Sequence, residues 1–155
     1  MLLKVSEDLH VEAPPEDVWK LLRDTPRLAG LLPGVETVTR IEGAEGEAYA
    51  ARASEKVGPF KITMNMEVRV TETLDVSLLR ATIKGGDSVG LNRVTGSMQI
   101  GLTPGVEGTE MHFEASIEVL GKLATLGAVP IRRRTTQSFT EFAKNIQGQF
   151  AKERT

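Results

Sequence analysis

Chemistry at a protein site needs a nucleophile, an acid or base, or a set of metal ligands, and this sequence carries few of each. It has two histidines, His10 and His112, and no cysteine. Thiolate nucleophiles, cysteine metal sites and disulfides are therefore ruled out. His112 belongs to the polar half of an alternating stretch with Glu114, Ser116 and Glu118, and His10 is out of phase with Val5, Leu9 and Val11. Both histidines and these carboxylates are expected on a wet surface. The run Gly85-Gly86-Asp87-Ser88-Val89-Gly90 leads into a strand-like stretch rather than a helix, so it does not make a phosphate loop. If the protein is an enzyme, the polar groups to consider are Tyr49, Arg52, Arg80 and Asn92, which a one-residue register change would turn inward. No metal and no cofactor are expected.

Adaptable apolar surface is more abundant. Met64, Met66, Met98 and Met111 share a strand phase with small residues such as Ala81, Gly96 and Ala115. Methionine fills irregular space and repacks around varied guests, so this lining suits either a plain core or a chamber of adjustable shape.

Charge narrows the partners. The chain carries a net charge of −2, yet residues 132–155 alone carry +4, with Arg132, Arg133 and Arg134 at one end. These arginines are read as meeting anionic headgroups or an acidic partner surface, or as a solvated helix end with the helix starting a turn earlier. An acidic balance with few aromatics argues against a nucleic-acid partner. No apolar run approaches the roughly 20 residues that cross a bilayer, and the start of the chain lacks the pattern of a signal peptide. A cytoplasmic location is expected, with peripheral contact at the inner membrane face as an extension of it.

The 155 residues, 40% hydrophobic and 26% charged, are expected to form one domain with a real core. From Pro130 to Lys152, Ile131, Thr135, Phe139, Phe142, Ile146 and Phe150 recur at helical spacing, so a long C-terminal helix with an aromatic stripe is expected. Leu3, Val5, Leu9 and Val11 give a first strand with an irregularity near Ser6-Glu7-Asp8. Ala13-Pro14-Pro15-Glu16-Asp17 starts a short helix with Val18, Trp19, Leu21 and Leu22 on its buried side, and a second short helix runs near Pro26 to Leu32. Six strands then follow, the clearest with Phe60, Ile62, Met64, Met66, Val68 and Val70 on one covered face and a wet face opposite. The expected architecture is α+β: a seven-stranded antiparallel sheet wrapped around the C-terminal helix, with two short helices between strands one and two.

Several short stretches resemble a known family. These are Ala13-Pro14-x-Glu16-x-Val18-Trp19-x-Leu21-Leu22-x-Asp24, Leu28 with Leu32-Pro33-Gly34, Val57-Gly58-Pro59, Gly108-Thr109, Gly121-Lys122-Leu123-Ala124-x-Leu126-Gly127, and Phe139-x-x-Phe142. In this order they resemble the carbon monoxide dehydrogenase G-subunit (CoxG) family of the START/Bet v 1-like helix-grip superfamily. The resemblance implies a hydrophobic chamber between sheet and helix. It also implies service to a CO dehydrogenase or related molybdenum hydroxylase, linking it to the membrane or its quinones. Leu31 stands where members often carry cysteine, and the sequence stops at Thr155 where members often continue into a membrane-engaging tail.

Three functions stand at this point: a carrier of a lipid- or quinone-like molecule, an adaptor docking a dehydrogenase without ligand, and a small cyclase- or hydrolase-like enzyme on a hydrophobic substrate. For the carrier, the expected ligand-binding residues come from four places. The first short helix gives Trp19 and Leu22, and the strands give Phe60, Met64, Met66, Ile83, Met98, Phe113 and Ile117. The long helix gives Phe139, Phe142 and Ile146. A mouth, expected where three segments converge, gives Leu28, Leu32, Leu123 and Leu126 beside the Val57-Gly58-Pro59 turn.

Overall fold

In the computed structural model, which describes residues 1–57 and 59–151, the first strand β1 (Leu2–Val11) leads into two short helices, α1 (Pro15–Arg23) and α2 (Thr25–Ala29). Six strands follow: β2 (Val35–Arg40), β3 (Glu47–Val57), β4 (Phe60–Leu74), β5 (Leu78–Gly86), β6 (Asn92–Gly105) and β7 (Gly108–Gly121). A single 3-10 segment, Lys122–Leu126, then delivers the chain to α3 (Ala128–Ala151). The side chains of Val57 and Phe60, and all of Gly58 and Lys152, lie outside the described residues.

The seven strands form one antiparallel sheet in the order β1-β7-β6-β5-β4-β3-β2. Hairpins join β2 through β7, so the one long connection is the α1–α2 pair, which carries the chain from one edge of the sheet to the other. Alternation places one residue set inward on every strand. In register from β4 to β7 the inward row reads Val68, Ile83, Gly96 and Ile117, and the next reads Val70, Ala81, Met98 and Ala115.

α3 lies on the inner face with Ile131, Phe139, Phe142, Ile146 and Phe150 buried. Phe113 of β7 meets it, 5.0 Å from the Phe139 ring and 6.0 Å from the Phe142 ring, the latter edge-on. α1 closes one end with Val18, Trp19, Leu21 and Leu22. At that end the buried Thr109 hydroxyl donates to the Ala13 carbonyl at 2.7 Å, tying the turn after β1 to the start of β7.

Four details differ from the sequence expectation. β1 has no irregularity: its pairing with β7 runs unbroken from Leu2↔Glu118 to Val11↔Thr109. Glu7 keeps the inward phase because its carboxylate accepts from the Thr140 hydroxyl of α3 at 3.1 Å. α2 ends at Ala29 rather than near Leu32, since tight turns take over, with Leu31 N–H donating to Leu28 and Leu32 N–H to Ala29. α3 starts at Ala128 rather than Pro130, the earlier start that one of the two readings of the arginines supposed, so Pro130 sits inside its first turn and the arginines at 132–134 fall beyond it. That relieves the opposition between their charge and the helix dipole, which fades within a turn. Finally, among the described side chains of its inner face, β4 is covered only at Met64, with Ile62, Met66, Val68 and Val70 half-buried. α3 packs chiefly along β1, so the half of the sheet around β4 is left incompletely roofed.

The two histidines lie on the outer face, as expected. His10 Nδ1 is 2.5 Å from Glu110 Oε1, and His112 bridges Glu114 (Nε2, 2.8 Å) and Asp8 (Nδ1, 2.5 Å). The hydrogen bonds to Glu114 and Asp8 raise the His112 pKa above its ordinary value, because both favour the cation. The stability it adds is present below about pH 6.5 and is lost as pH rises through the raised folded-state value. H112Q is therefore expected to flatten the fall in melting temperature as pH rises above about 6.5. An unchanged pH profile would show that the bridge is not formed in solution.

Candidate functional site

Beneath the incomplete roof lies a cavity of about 200 Å³. It sits at the end of the sheet away from α1, where β1 and β6 begin and β3 and β7 end. Its walls are Leu3, Ala53, Ile62, Met64, Met66, Val94, Ile117 and Val119 from the sheet, with Ile131, Thr135 and Phe139 from α3. Leu32, Pro33 and Val35 close one side and Leu123 of the 3-10 segment another. Larger hollows of about 720 and 760 Å³ lie across the outer sheet face, among side chains such as Arg52, Lys84 and Arg93 or Arg80, Ser97 and Glu114. These are grooves on the outer face; of the three, the smaller space is the one walled by sheet and helix together.

Of the residues expected to bind ligand, Leu32, Met64, Met66, Ile117, Leu123 and Phe139 border this cavity. Trp19, Leu22, Leu28, Phe113, Phe142 and Ile146 are buried instead in the main core, packed by α1 and the far half of α3. Met98 packs against that same core, Leu126 lies against a smaller cluster of Leu3, Val119 and Ile131, and Ile83 is half-buried away from the walls. Phe60 falls outside the described side chains. Of the three segments expected to form a mouth, two reach the cavity, through Leu32 and Leu123. Gly58 of the third lies outside the described residues, and its neighbour on β4, Ile62, lines the wall.

The polar candidates separate in the same way. Arg52 and Arg80 are on the outer face, Arg52 3.6 Å from Glu36 and Arg80 donating to Gln99 at 3.0 Å. Asn92 faces inward but is a clamp: its Nδ2 donates to Asp87 Oδ2 at 2.6 Å and its Oδ1 accepts from Leu123 N–H at 2.6 Å. It thus ties the 3-10 segment to the β5–β6 turn. Tyr49 is buried at the opposite end, donating to Glu47 Oε2 at 2.8 Å while Arg23 Nη2 donates to Glu47 Oε1 at 2.8 Å. Burial pushes the Glu47 carboxyl up, but the hydrogen bonds from Arg23 and Tyr49 and the charges of Arg23 and Arg40 outweigh it and hold it below the ordinary value. Burial and the bond to Glu47 raise the Tyr49 hydroxyl. This cluster fastens α1 to β3 and does not line the cavity.

One polar group of the cavity lies outside the residues expected from the sequence. Arg134 donates to Glu55 Oε2 from Nε at 2.8 Å and from Nη2 at 2.6 Å, and Ser138 Oγ donates to Glu55 Oε1 at 3.2 Å. All three residues line the cavity. Arg134 is thus bound inward, unlike the exposed Arg132 and Arg133 beside it. The signal was present: Glu55 continues the inward phase of Tyr49, Ala51 and Ala53, and Arg134 and Ser138 stand on the stripe of Ile131 and Phe142. Among the described residues no group of three or more histidines and carboxylates could hold a metal ion.

A partly open, largely apolar space lies between the seven-stranded sheet and the C-terminal helix, beside the Leu-Pro-Gly turn. Residues 8–151 match the family described as the G subunit of carbon monoxide dehydrogenase (CoxG). The chain belongs to the CoxG family. No curated protein matches the sequence. Among solved structures, a conserved protein from Geobacillus kaustophilus superposes with a TM-score of 0.83 at 23% identity, covering 97% of this chain and 96% of that one. TTHA0849 from Thermus thermophilus gives 0.67 at 18% identity, with coverage of 99% and 100%. Norcoclaurine synthase from Thalictrum flavum, in complex with dopamine and hydroxybenzaldehyde, gives 0.65 at 16%, with coverage of 100% and 90%. At these identities the likeness is one of fold, and the fold of this CoxG chain is the Bet v 1-like helix grip. Among its described residues no helix is long and apolar enough to cross a membrane.

Proposed function

We propose that this CoxG-family chain is a non-catalytic carrier that holds an apolar, lipid- or quinone-like molecule between sheet and helix, without metal or cofactor. In that role it serves a CO-dehydrogenase-type molybdenum hydroxylase and meets the membrane peripherally to exchange its guest. The observation that carries the reading is the apolar cavity of about 200 Å³ left where α3 fails to roof β4. Void space lined by methionine and branched side chains forfeits dispersion contacts, which a guest would restore. Burying about 200 Å² of guest surface contributes about 5 kcal/mol before the entropy of association is subtracted. A longer chain must run out past Leu32 and Leu123. Exposed Arg132 and Arg133 on α3 can face anionic headgroups, an attraction that salt screens over about 8 Å.

Enzymes share this fold, but the cavity wall of this chain supplies no histidine, and the one hydroxyl beside a carboxylate, Ser138, donates to a Glu55 already bound by Arg134. The adaptor reading is favoured by one observation. The cavity is smaller than the ~300–1,000 Å³ usual for ligand pockets, as a surface-docking protein with a vestigial chamber would show. The test is a comparison of Ile117→Trp with wild type. Mass spectrometry of solvent extracts should find a stoichiometric apolar guest in the wild-type protein only, and affinity for a quinone or lipid that wild type binds should fall about a hundredfold or more in the folded variant. An unoccupied wild type that binds nothing in a broad apolar panel would replace the carrier with the adaptor.

A further inference from the structure

The apolar wall of the cavity is interrupted by a polar set whose charges cancel. Glu55 and Arg134 form an ion pair at 2.6 Å, about a quarter and a third exposed respectively, and Ser138 completes it at 3.2 Å. The pair is built in from both sides. Gly34, at φ +88°, brings the Leu-Pro-Gly turn so close that a Cβ there would stand 2.9 Å from Glu55 Oε1. Guanidinium has five N–H donors, and Glu55 takes one from Nε and one from Nη2. The two on Nη1 and the second on Nη2 have no partner among the described residues. Ser138 gives its proton to the bond with Glu55 and keeps lone pairs free.

We propose that Glu55, Arg134 and Ser138 are the head-group subsite of the cavity, selecting an amphiphile with an uncharged carbonyl or hydroxyl end over a carboxylate. The inference rests on the carrier reading and names the class of guest. A carbonyl oxygen accepts from the free N–H groups of Arg134, and a hydroxyl can also donate to Ser138 Oγ. Neither disturbs the ion pair, so the site stays neutral. A carboxylate would add a second negative charge beside Glu55 and compete with it for one guanidinium. In a partly desolvated cavity an uncompensated charge is strongly unfavourable. A hydrocarbon gains nothing from the set. The apolar space accommodates a short chain behind such a head.

The test is a chain-matched series, octane, 2-octanone, 1-octanol and octanoate, titrated calorimetrically into the full chain at about pH 8, where octanoate is ionised. The ketone and alcohol are expected to bind about tenfold or more tightly than octanoate. Glu55→Gln leaves the arginine charge uncompensated and should shift that ratio by about tenfold or more toward octanoate. Ser138→Ala should weaken octanol against octanone. Wild-type octanoate binding as tightly as octanone overturns the proposal without recourse to any variant. So does a ratio unmoved in folded Glu55→Gln. Head-group-indifferent binding of all four, octane included, removes this inference while leaving the carrier standing. Binding of none removes both.

Discussion

Phe142→Ala is expected to lower the unfolding free energy by about 4 kcal/mol, and Phe139→Ala by the smaller amount of about 2–3 kcal/mol. Both rings are more than nine-tenths buried, and their centroids are 6.3 Å apart, so exposure alone does not separate them. What separates them is the other side of each ring. Phe142 is enclosed by the core that α1, β6 and β7 build with the far half of α3, and its removal opens a new void there. Phe139 also meets Phe113, but one side already borders the cavity, where it has fewer atoms to lose contact with. Urea unfolding with an unchanged m-value measures both. Equal losses would mean that the space beside Phe139 closes in solution, which would count against a preformed chamber.

Gly34→Ala is expected to cost about 2–4 kcal/mol and to disturb the cavity as well as the fold. Its φ of +88° is a conformation in which a side chain is strained. The added Cβ would also lie 2.5 Å from the Ser54 carbonyl oxygen, in a place where Ser54 N–H donates to the Gly34 carbonyl at 2.9 Å. Backbone cannot rotate out of the way as a side chain can, so β3 must shift and take Glu55 with it. Gly43→Ala is the control: its φ is +77°, but nothing lies within 4 Å of its Cβ position. It should show the conformational penalty alone, about 1–2 kcal/mol. Similar losses for the two variants would mean that the turn does not press on β3.

Local pattern reaches far in this protein. Period-two alternation orients the faces of β4, β6 and β7, because an inward side chain must find apolar neighbours whatever roofs it. The stripe on α3 is equally local, and its contact with a sheet follows because an aromatic stripe of that length must be buried against an apolar face. The scarcity of chemistry-bearing residues is legible too: His10 and His112 pair with carboxylates on the outer face, where phase puts them.

Phase says that a residue points inward but not how far away the opposite wall is. Ile117 and Phe113 lie on the same face of the same strand, yet one borders the cavity and the other is packed between two phenylalanine rings. That depends on where α3 crosses the sheet and how the sheet curves beneath it, which are properties of all the strands together. Inward charge is undecidable locally for the same reason. Glu7 looks like a break in β1 until Thr140, supplied by α3, is seen to meet it, and Arg134 reads as one of three surface arginines until Glu55 is placed opposite. The partner that makes an inward charge tolerable lies 133 residues away in the first case and 79 in the second, so only the tertiary structure decides between a misread strand and a built polar site.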